Sequence, residues 1–598
     1  MLKTFADLYR IIKLTGTAMQ LWAIVALAVF SAVIETFGIA LVFPFIAALT
    51  MPDYFKSTGK LHKLAEILGF HSQHRFLVFM GFAVLAVVVF GNILMALTSW
   101  LSYRYSFMQE SRISVLLLSR YLNKPYIFFL KNNLNNLAKN IVNEVAIVIR
   151  DLFISALEII SKGAVLIVML SFLLCYNPLF SLIMISAIAS VYAIYSGFCK
   201  KRIRQKSAEF AQAHTLRFKY SIESLNAIQD IKLLSAENFF LKQFEKPSRD
   251  FANASSTSKT LASLPRNFLE LFLFGGILTF ILINILDNSK SFNLMLPILS
   301  TFAYAGIRML PAMNILYHSY SVMKFSKHSL DVLYDDLISG GDVVGQSDTD
   351  LNFNHTIHFK NLGFSYGDEA GNVIENINFK INKGESVGFV GGTGSGKTTV
   401  INILLGLLAP SEGEVLIDGL SLCPRNLQDW QKNIGHVPQN IYLVDDTILN
   451  NIAFGIELEK IDFSWLRKVA QIAELDEFIM SLPENYNTLV GDRGVRLSGG
   501  QRQRIGIARS LYRRPKVLVL DEATSALDNI TEARVIENIR SECKGLTLIM
   551  VAHRLTTVKK CDKILVLVAK KGVVSEGSYD ALLESSPEFQ DLVSANVT

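Results

Sequence analysis

The chain has 598 residues, a net charge of +6, 51% apolar residues and only 18% charged ones. That length exceeds one domain, and charge this sparse excludes an ordinary soluble protein, in which about a quarter of residues would be charged. The small positive excess lies in segments beside apolar runs, so nucleic acid is not an expected partner.

The N-terminus opens with a short amphipathic stretch that places Phe5, Leu8, Tyr9 and Ile12 on one helical face. It suits a helix lying on the cytoplasmic membrane surface, or equally one packed against neighbouring helices. Six apolar stretches follow, near 21–46, 76–100, 153–175, 179–198, 268–286 and 294–316. Each is long enough to cross a bilayer, which takes about 20 residues. Between the first two, Leu61, Leu64, Ala65 and Leu68 share a helical face that would lie on the outer side. The third and fourth stretches are separated only by Tyr176-Asn177-Pro178, a tight turn.

Basic residues set the orientation. Arg104, Arg112, Arg120, Lys124, Lys131, Lys139 and Arg150 lie between the second and third stretches, and Lys200-Lys201-Arg202 opens the segment between the fourth and fifth. The loop between the fifth and sixth has only Lys290, although Lys56, Lys60 and Lys63 follow the first. Both termini and the two basic segments are therefore expected in the cytoplasm. These segments read as helical continuations that turn near 125–137 and 227–237, either as solvated hairpins or as levers on a cytoplasmic domain. The first stretch is too long for a cleavable signal. The five cysteines are scattered and suggest neither a disulfide framework nor a zinc site.

From 352 onward, short β-branched strands alternate with helical stretches. Val387-Gly388-Phe389-Val390 runs into Gly391-Gly392-Thr393-Gly394-Ser395-Gly396-Lys397-Thr398-Thr399, and a helix is expected over 399–408. Strand, glycine-rich loop and helix together make a Walker A phosphate cradle. Its N–H groups surround the phosphates, Lys397 reaches the terminal ones and Thr398 ligates Mg²⁺. Val517-Leu518-Val519-Leu520-Asp521-Glu522 is an apolar strand ending in two carboxylates, with Asp521 placed for the metal and Glu522 for the attacking water. Leu497-Ser498-Gly499-Gly500-Gln501, followed by a helix-forming run, is a second anion-gripping element.

This ordered set resembles the ABC transporters from Tyr366 to His553. The resemblance implies that Tyr366 stacks on adenine and that Gln439, in Val437-Pro438-Gln439-Asn440, contacts the metal. It also implies that Ser498, Gly499, Gly500 and Gln501 form the family signature and that Asp528, in Ser525-Ala526-Leu527-Asp528, lies in the loop joining two active sites. His553 corresponds to the switch histidine at the γ-phosphate. Gly491-Asp492-Arg493-Gly494 has Asp where the family more often has Glu. ATP and Mg²⁺ are the implied cofactors.

The implied architecture is an α-helical six-span transmembrane domain of exporter type I over 1–330, a linker over 331–351 and an α/β P-loop nucleotide-binding domain over 352–598. In that family one domain's signature completes another's Walker A site. One such domain and six spans therefore imply a homodimer, with a different half-partner as the alternative.

For cargo, polar groups within apolar spans are informative. Glu35 lies mid-span, Arg308 is in the sixth span, and Arg266 and Glu270 are at the entry to the fifth. They read either as internal ion pairs or as a cavity for an anionic group. The stretches around them resemble bacterial flippases for lipid-linked oligosaccharides. That resemblance implies a lipid-linked oligosaccharide or related glycolipid as cargo and a bacterial inner membrane as location. Drug, lipid A and peptide exporters, or an ATP-gated channel or regulator, are the other readings. The absence of a protease domain before the first span argues against trimming of leader peptides.

Overall fold

The computed structural model describes residues 2–50, 70, 73–176, 178–286, 292–338, 351–367, 371–551, 555–569 and 572–595. The amphipathic stretch at 61–68 lies outside them. Contacts divide the chain into a helical unit, Met1–Lys124 with Asn132–Gly341, and a mixed unit, Pro125–Lys131 with Asp342–Thr598.

In the helical unit, α1 (Leu2–Leu14) precedes α2 (Ala18–Thr50) and α3 (Gln73–Leu122). The turn element α4 (Tyr126–Lys131) belongs to the mixed unit. The chain returns through α5 (Leu134–Lys139) and α6 (Ile154–Tyr176), with wide π turns at Asn140–Glu144 and Val148–Phe153 between them. Then come α7 (Pro178–Asn226), the short α8 (Ile228–Leu233), α9 (Glu237–Leu286), α10 (Phe292–Phe325) and α11 (Lys327–Ile338). Every apolar stretch read from the sequence falls on one long helix. Among the described residues, Ala18–Gly38, His74–Leu122 and Leu134–Cys175 are long and apolar enough to cross a membrane. On α3, Phe82, Leu85, Phe90 and Ile93 are all exposed, as suits a helix surrounded by hydrocarbon rather than by a protein core. The short helices α4 and α8 stand where turns were expected.

Two expectations shift. On α1 the buried residues are Thr4, Asp7, Leu8, Ile11 and Ile12, so the face rotates away from Tyr9, which is exposed with its ring edge toward Trp22. The helix packs on α11, where Arg10 donates to the Tyr334 hydroxyl at 2.7 Å, which favours the packing alternative. Residues 331–338, expected as linker, are helix. Leu330, Leu333 and Leu337 of α11 are fully buried, and Tyr121 and Asn140 both donate to Asp336.

The ionisable groups in the spans separate. Arg308 on α10 lies 3.5 Å from Glu35 on α2 with its guanidinium over the Tyr304 ring, so the pairing alternative describes these two. Arg266 sits on α9, and its side chain lies outside the described residues.

The mixed unit holds two sheets. β1 (Thr356–Phe364), β2 (Ile374–Asn382), β4 (Glu412–Ile417) and β5 (Leu420–Ser421) form an antiparallel sheet in the order β2-β1-β4-β5. The other joins β3 (Ser386–Val390), β6 (Ile434–Val437), β7 (Val517–Asp521), β8 (Thr547–Val551), β9 (Lys563–Val568) and β10 (Gly572–Gly577) in the order β10-β9-β3-β8-β7-β6. All its pairings are parallel except β10 with β9.

Alternation commits both faces of this sheet. Val517 and Val519 enter a core shared with Phe359, Phe389 and Trp430, whereas Leu518 and Leu520 enter a second core with Ile505 and Val535. The helix after β3, α12, spans Lys397–Leu404 rather than 399–408. Gly406 at φ +68° ends it, because a left-handed residue just past a helix turns the chain away.

Truncating Arg308→Ala should strand the Glu35 carboxylate and cost on the order of 2 kcal/mol. Replacing both residues together (Glu35→Leu, Arg308→Met) should recover most of that loss. Thermal unfolding in detergent measures both.

Candidate nucleotide site

The order β3-β8-β7-β6 brings four chain exits to one rim of the sheet. They are the glycine loop after β3, the end of β8 at Val551, Asp521-Glu522 at the end of β7 and Gln439 after β6. Ligands in open parallel sheets bind at such carboxyl ends.

Gly391 has φ +155°, and a Cβ there would lie 2.7 Å from Ser395 Oγ and collide with the Leu567 carbonyl. The loop therefore hugs the sheet edge only because residue 391 has no side chain. Gly392, Thr393, Gly394 and Thr398 are exposed, whereas Ser395, Lys397 and Thr399 are buried. Lys397 Nζ donates to the carbonyls of Gly391 (2.8 Å) and Gly392 (3.0 Å). Burial lowers the Lys397 pKa from its ordinary value, and the charges of Glu522 and Asp521 oppose that shift. A desolvated ammonium held beside two carboxylates gains from any anion that enters the loop.

Glu522 occupies the left-handed region at φ +50°, with its N–H on the Val551 carbonyl at 3.0 Å. Strain of this kind gathers at functional sites. Its Oε2 accepts from Gln439 Nε2 at 2.6 Å, so the residues expected on the metal and on the water touch each other. Asp521 is buried at the end of β7. The Tyr366 hydroxyl lies 3.2 Å from Thr399 Oγ1 and its ring stands edge-on to Phe364, which fixes the aromatic at the start of α12. His553 lies outside the described residues.

The signature begins α13 (Gly499–Tyr512) with a capping box, in which Gln501 N–H donates to Ser498 Oγ (3.2 Å) and Ser498 N–H to Gln501 Oε1 (2.8 Å). Among the described residues no hydrogen bond or ion pair joins 498–501 to the loop 391–399. Asp528 caps α14 (Asn529–Glu542), accepting from the backbone and side chain of Thr531, bonds that lower its pKa.

Three supporting residues escaped the sequence reading. Gln503 donates to Ser525 Oγ (3.1 Å) and accepts from the Ala526 N–H (3.0 Å), tying α13 to the loop before Asp528. Arg509 donates to the carbonyls of Tyr442 and Asn451 and to Asn451 Oδ1, joining α13 to the segment beyond Gln439. Burial pushes its pKa down to about 10, which leaves it charged at neutral pH. Glu532 on α14 is buried and accepts from Thr524 (2.8 Å), two residues past Glu522, and from Thr557 (2.7 Å) on α15 (Leu555–Val558). Gln503 and Arg509 lie in the helix-forming run beyond the signature, where spacing alone does not show what their side chains reach. Glu532 had no signal at all.

A family model described as ABC transporter matches residues 374–525, and one described as ABC transporter transmembrane region matches residues 23–305. The chain belongs to the ABC transporters. A solved structure of a bacterial Atm1-family ABC exporter with ATP bound aligns with this ABC transporter at a TM-score of 0.75 and 23% identity, covering 94% of this chain and 97% of that one. The shared fold is an exporter-type helical transmembrane domain joined to a P-loop domain.

Among curated proteins, the heterocyst differentiation ATP-binding protein HepA of Nostoc sp. is 32% identical over 393 residues, 64% of this chain and 62% of that protein. The leukotoxin translocation ATP-binding protein LktB of Mannheimia glucosida is 42% identical over 233 residues, 38% of this chain and 32% of that protein. The ABC transporter chain thus spans 62% of the first relative and 32% of the second.

Glu532→Ala should lower ATP turnover about tenfold while ATP affinity stays within about threefold, because the carboxylate positions the loop after Glu522 without facing the phosphates. Glu532→Gln, which keeps an accepting oxygen, should recover part of the rate. Steady-state ATPase assays and nucleotide-binding titrations separate the two effects.

Proposed function

We propose that this ABC transporter hydrolyses ATP at two sites, each shared between two copies of the chain, and uses the cycle to move an amphiphile across a bacterial inner membrane. Lipid-linked oligosaccharides or related glycolipids are the proposed cargo. The observation that carries the ATPase reading is the gathering of Lys397, Asp521, Glu522 and Gln439 at one rim of the parallel sheet.

The exposed loop 392–394 and the N-terminus of α12 offer N–H groups to the phosphates, and Lys397 exchanges its loop carbonyls for phosphate oxygens. Tyr366 takes the adenine face. Asp521, Thr398 and Gln439 supply the oxygen donors that suit a hard cation. Mg²⁺ bound with the nucleotide would neutralise charge across the phosphates. Glu522 orients and deprotonates the attacking water, and His553 contacts the γ-phosphate. The Gln439–Glu522 hydrogen bond engages one oxygen of the base and orients its carboxylate.

That no hydrogen bond or ion pair joins 498–501 to the chain's own glycine loop among the described residues supports a shared site. Ser498, Gly499, Gly500 and Gln501 would then close on a nucleotide held by the partner copy, with Asp528 near the junction. ATP bridges two bodies, and loss of its γ-phosphate lets them part. The cargo reading is supported by ionisable groups lying within apolar helices, where they are costly unless used.

In proteoliposomes, ATP turnover should rise with lipid-linked oligosaccharide, and Glu522→Gln should bind ATP yet lose turnover by about a hundredfold or more. Normal turnover in that variant would remove the catalytic assignment. Stimulation by hydrophobic cations alone would remove the cargo. A second experiment addresses the dimer by mixing Lys397→Ala chains with Ser498→Arg chains, each inactive alone. Activity should reappear in the mixture, since half of the sites in mixed dimers carry neither lesion.

A further inference from the structure

Besides Glu35, Arg308, Arg266 and Glu270, the described apolar helices carry further ionisable residues. Glu158 and Lys162 lie one turn apart on α6. They line a cavity of about 200 Å³ together with Ser31 of α2, Ser99 and Tyr103 of α3, and Ser161.

Lys162 is nine positions into the apolar stretch that begins at 153, about 13 Å along the helix axis at the usual rise. An ammonium at that depth is costly unless something answers its charge. Its recorded polar contact among the described residues is the Met95 thioether, 3.8 Å from Nζ. Glu158, the nearest carboxylate in sequence, instead accepts from Ser319 Oγ at 2.7 Å.

The surrounding hydroxyls divide by role. Thr98, Ser102 and Ser106 donate to carbonyls one turn back on α3, which leaves their oxygens free to accept. Ser31, Ser99 and Ser161 have no recorded side-chain bond among the described residues and can donate into the cavity.

We propose that this cavity binds an anionic, hydroxyl-rich group of the phosphosugar kind. Lys162 answers the anionic oxygens, with Ser31, Ser99 and Ser161 donating to the remainder. The second oxygen of Glu158 and the α3 hydroxyl oxygens accept from sugar hydroxyls. A neutral or cationic group would leave the ammonium unanswered. The volume equals about seven liquid waters, enough for one ring with its substituent and too little for an oligosaccharide. The proposal rests on the export reading only for the ligand's source, which is a lipid headgroup if that reading holds and a free sugar phosphate otherwise.

The test uses the full chain in nanodiscs without nucleotide and three probes: dodecyl glucosyl phosphate, glucose 1-phosphate and uncharged dodecyl glucoside. Calorimetry should show dodecyl glucosyl phosphate binding, weakened about tenfold or more by Lys162→Met and within about threefold of wild type for Lys162→Arg. Equal binding of glucose 1-phosphate with the same dependence on Lys162 supports the site and assigns a soluble source.

Three results overturn the proposal: no binding of either phosphorylated probe, equally tight binding of dodecyl glucoside, or undiminished binding by Lys162→Met. Lys162→Met removes a charge from a membrane helix, and gel filtration checks its fold. If it fails to fold, the Ser99→Ala, Ser161→Ala pair decides, with about threefold weakening expected and none overturning. Failure of any of these leaves ATP turnover and its dependence on Glu522 untouched, so the export reading is judged separately.

Discussion

Everything at the nucleotide site depends on the register of four parallel strands. Phe389 pairs with Val551, Val551 with Asp521, and Leu520 with Val437, so the exits from β3, β8, β7 and β6 emerge level with one another. A slip of one residue would exchange the two buried faces, sending Val517 and Val519 into the core now filled by Leu518 and Leu520. Because both faces are packed, the sheet has one acceptable alignment. That alignment sets Asp521 and Glu522 beside the glycine loop.

On this frame, a few polar side chains hold together segments that are remote in sequence. Gln503 spans from α13 to the loop before α14, Arg509 from α13 to the segment after β6, and Glu532 from α14 to both Thr524 and Thr557. Each uses a fork or carboxylate that bonds more than one partner, and Arg509 and Glu532 are largely shielded from water. In such surroundings a satisfied network is rigid, and losing one member leaves the others unpaired. The signature helix is therefore tied both to the end of β7 and to the region of Gln439.

Much of this was legible in the sequence because its signals are local. Bilayer length marks the spans, and Gly391 through Thr398 mark a loop that only glycines can build. The ordered motifs led to the ABC fold, which the family matches and the shared architecture bear out. What escaped was tertiary. Glu35 and Arg308 are 273 positions apart, and only folding shows that they pair. Tyr9 shares a periodic face with Leu8 on paper, but the face that α11 covers is turned from it. The helix through Leu330, Leu333 and Leu337 looked like linker because its charged residues, Asp331, Asp335 and Asp336, mask a narrow apolar seam. Lys162 and Glu158 give no separate signal, because the surrounding run is apolar enough to read as a span.

One feature of the chain's division concerns anyone who would dissect it. The mixed unit is discontinuous, because Pro125–Lys131 belongs to it although more than two hundred residues of helical unit intervene before Asp342. Ile127 from that element packs against the core that holds Phe359 and Trp430. A soluble fragment begun at the linker would therefore lack a piece of its own hydrophobic surface and present a bare apolar notch to water. Such a fragment invites self-association. A peptide or tether restoring residues 125–131 is the natural way to express the ATP-binding domain as a well-behaved protein.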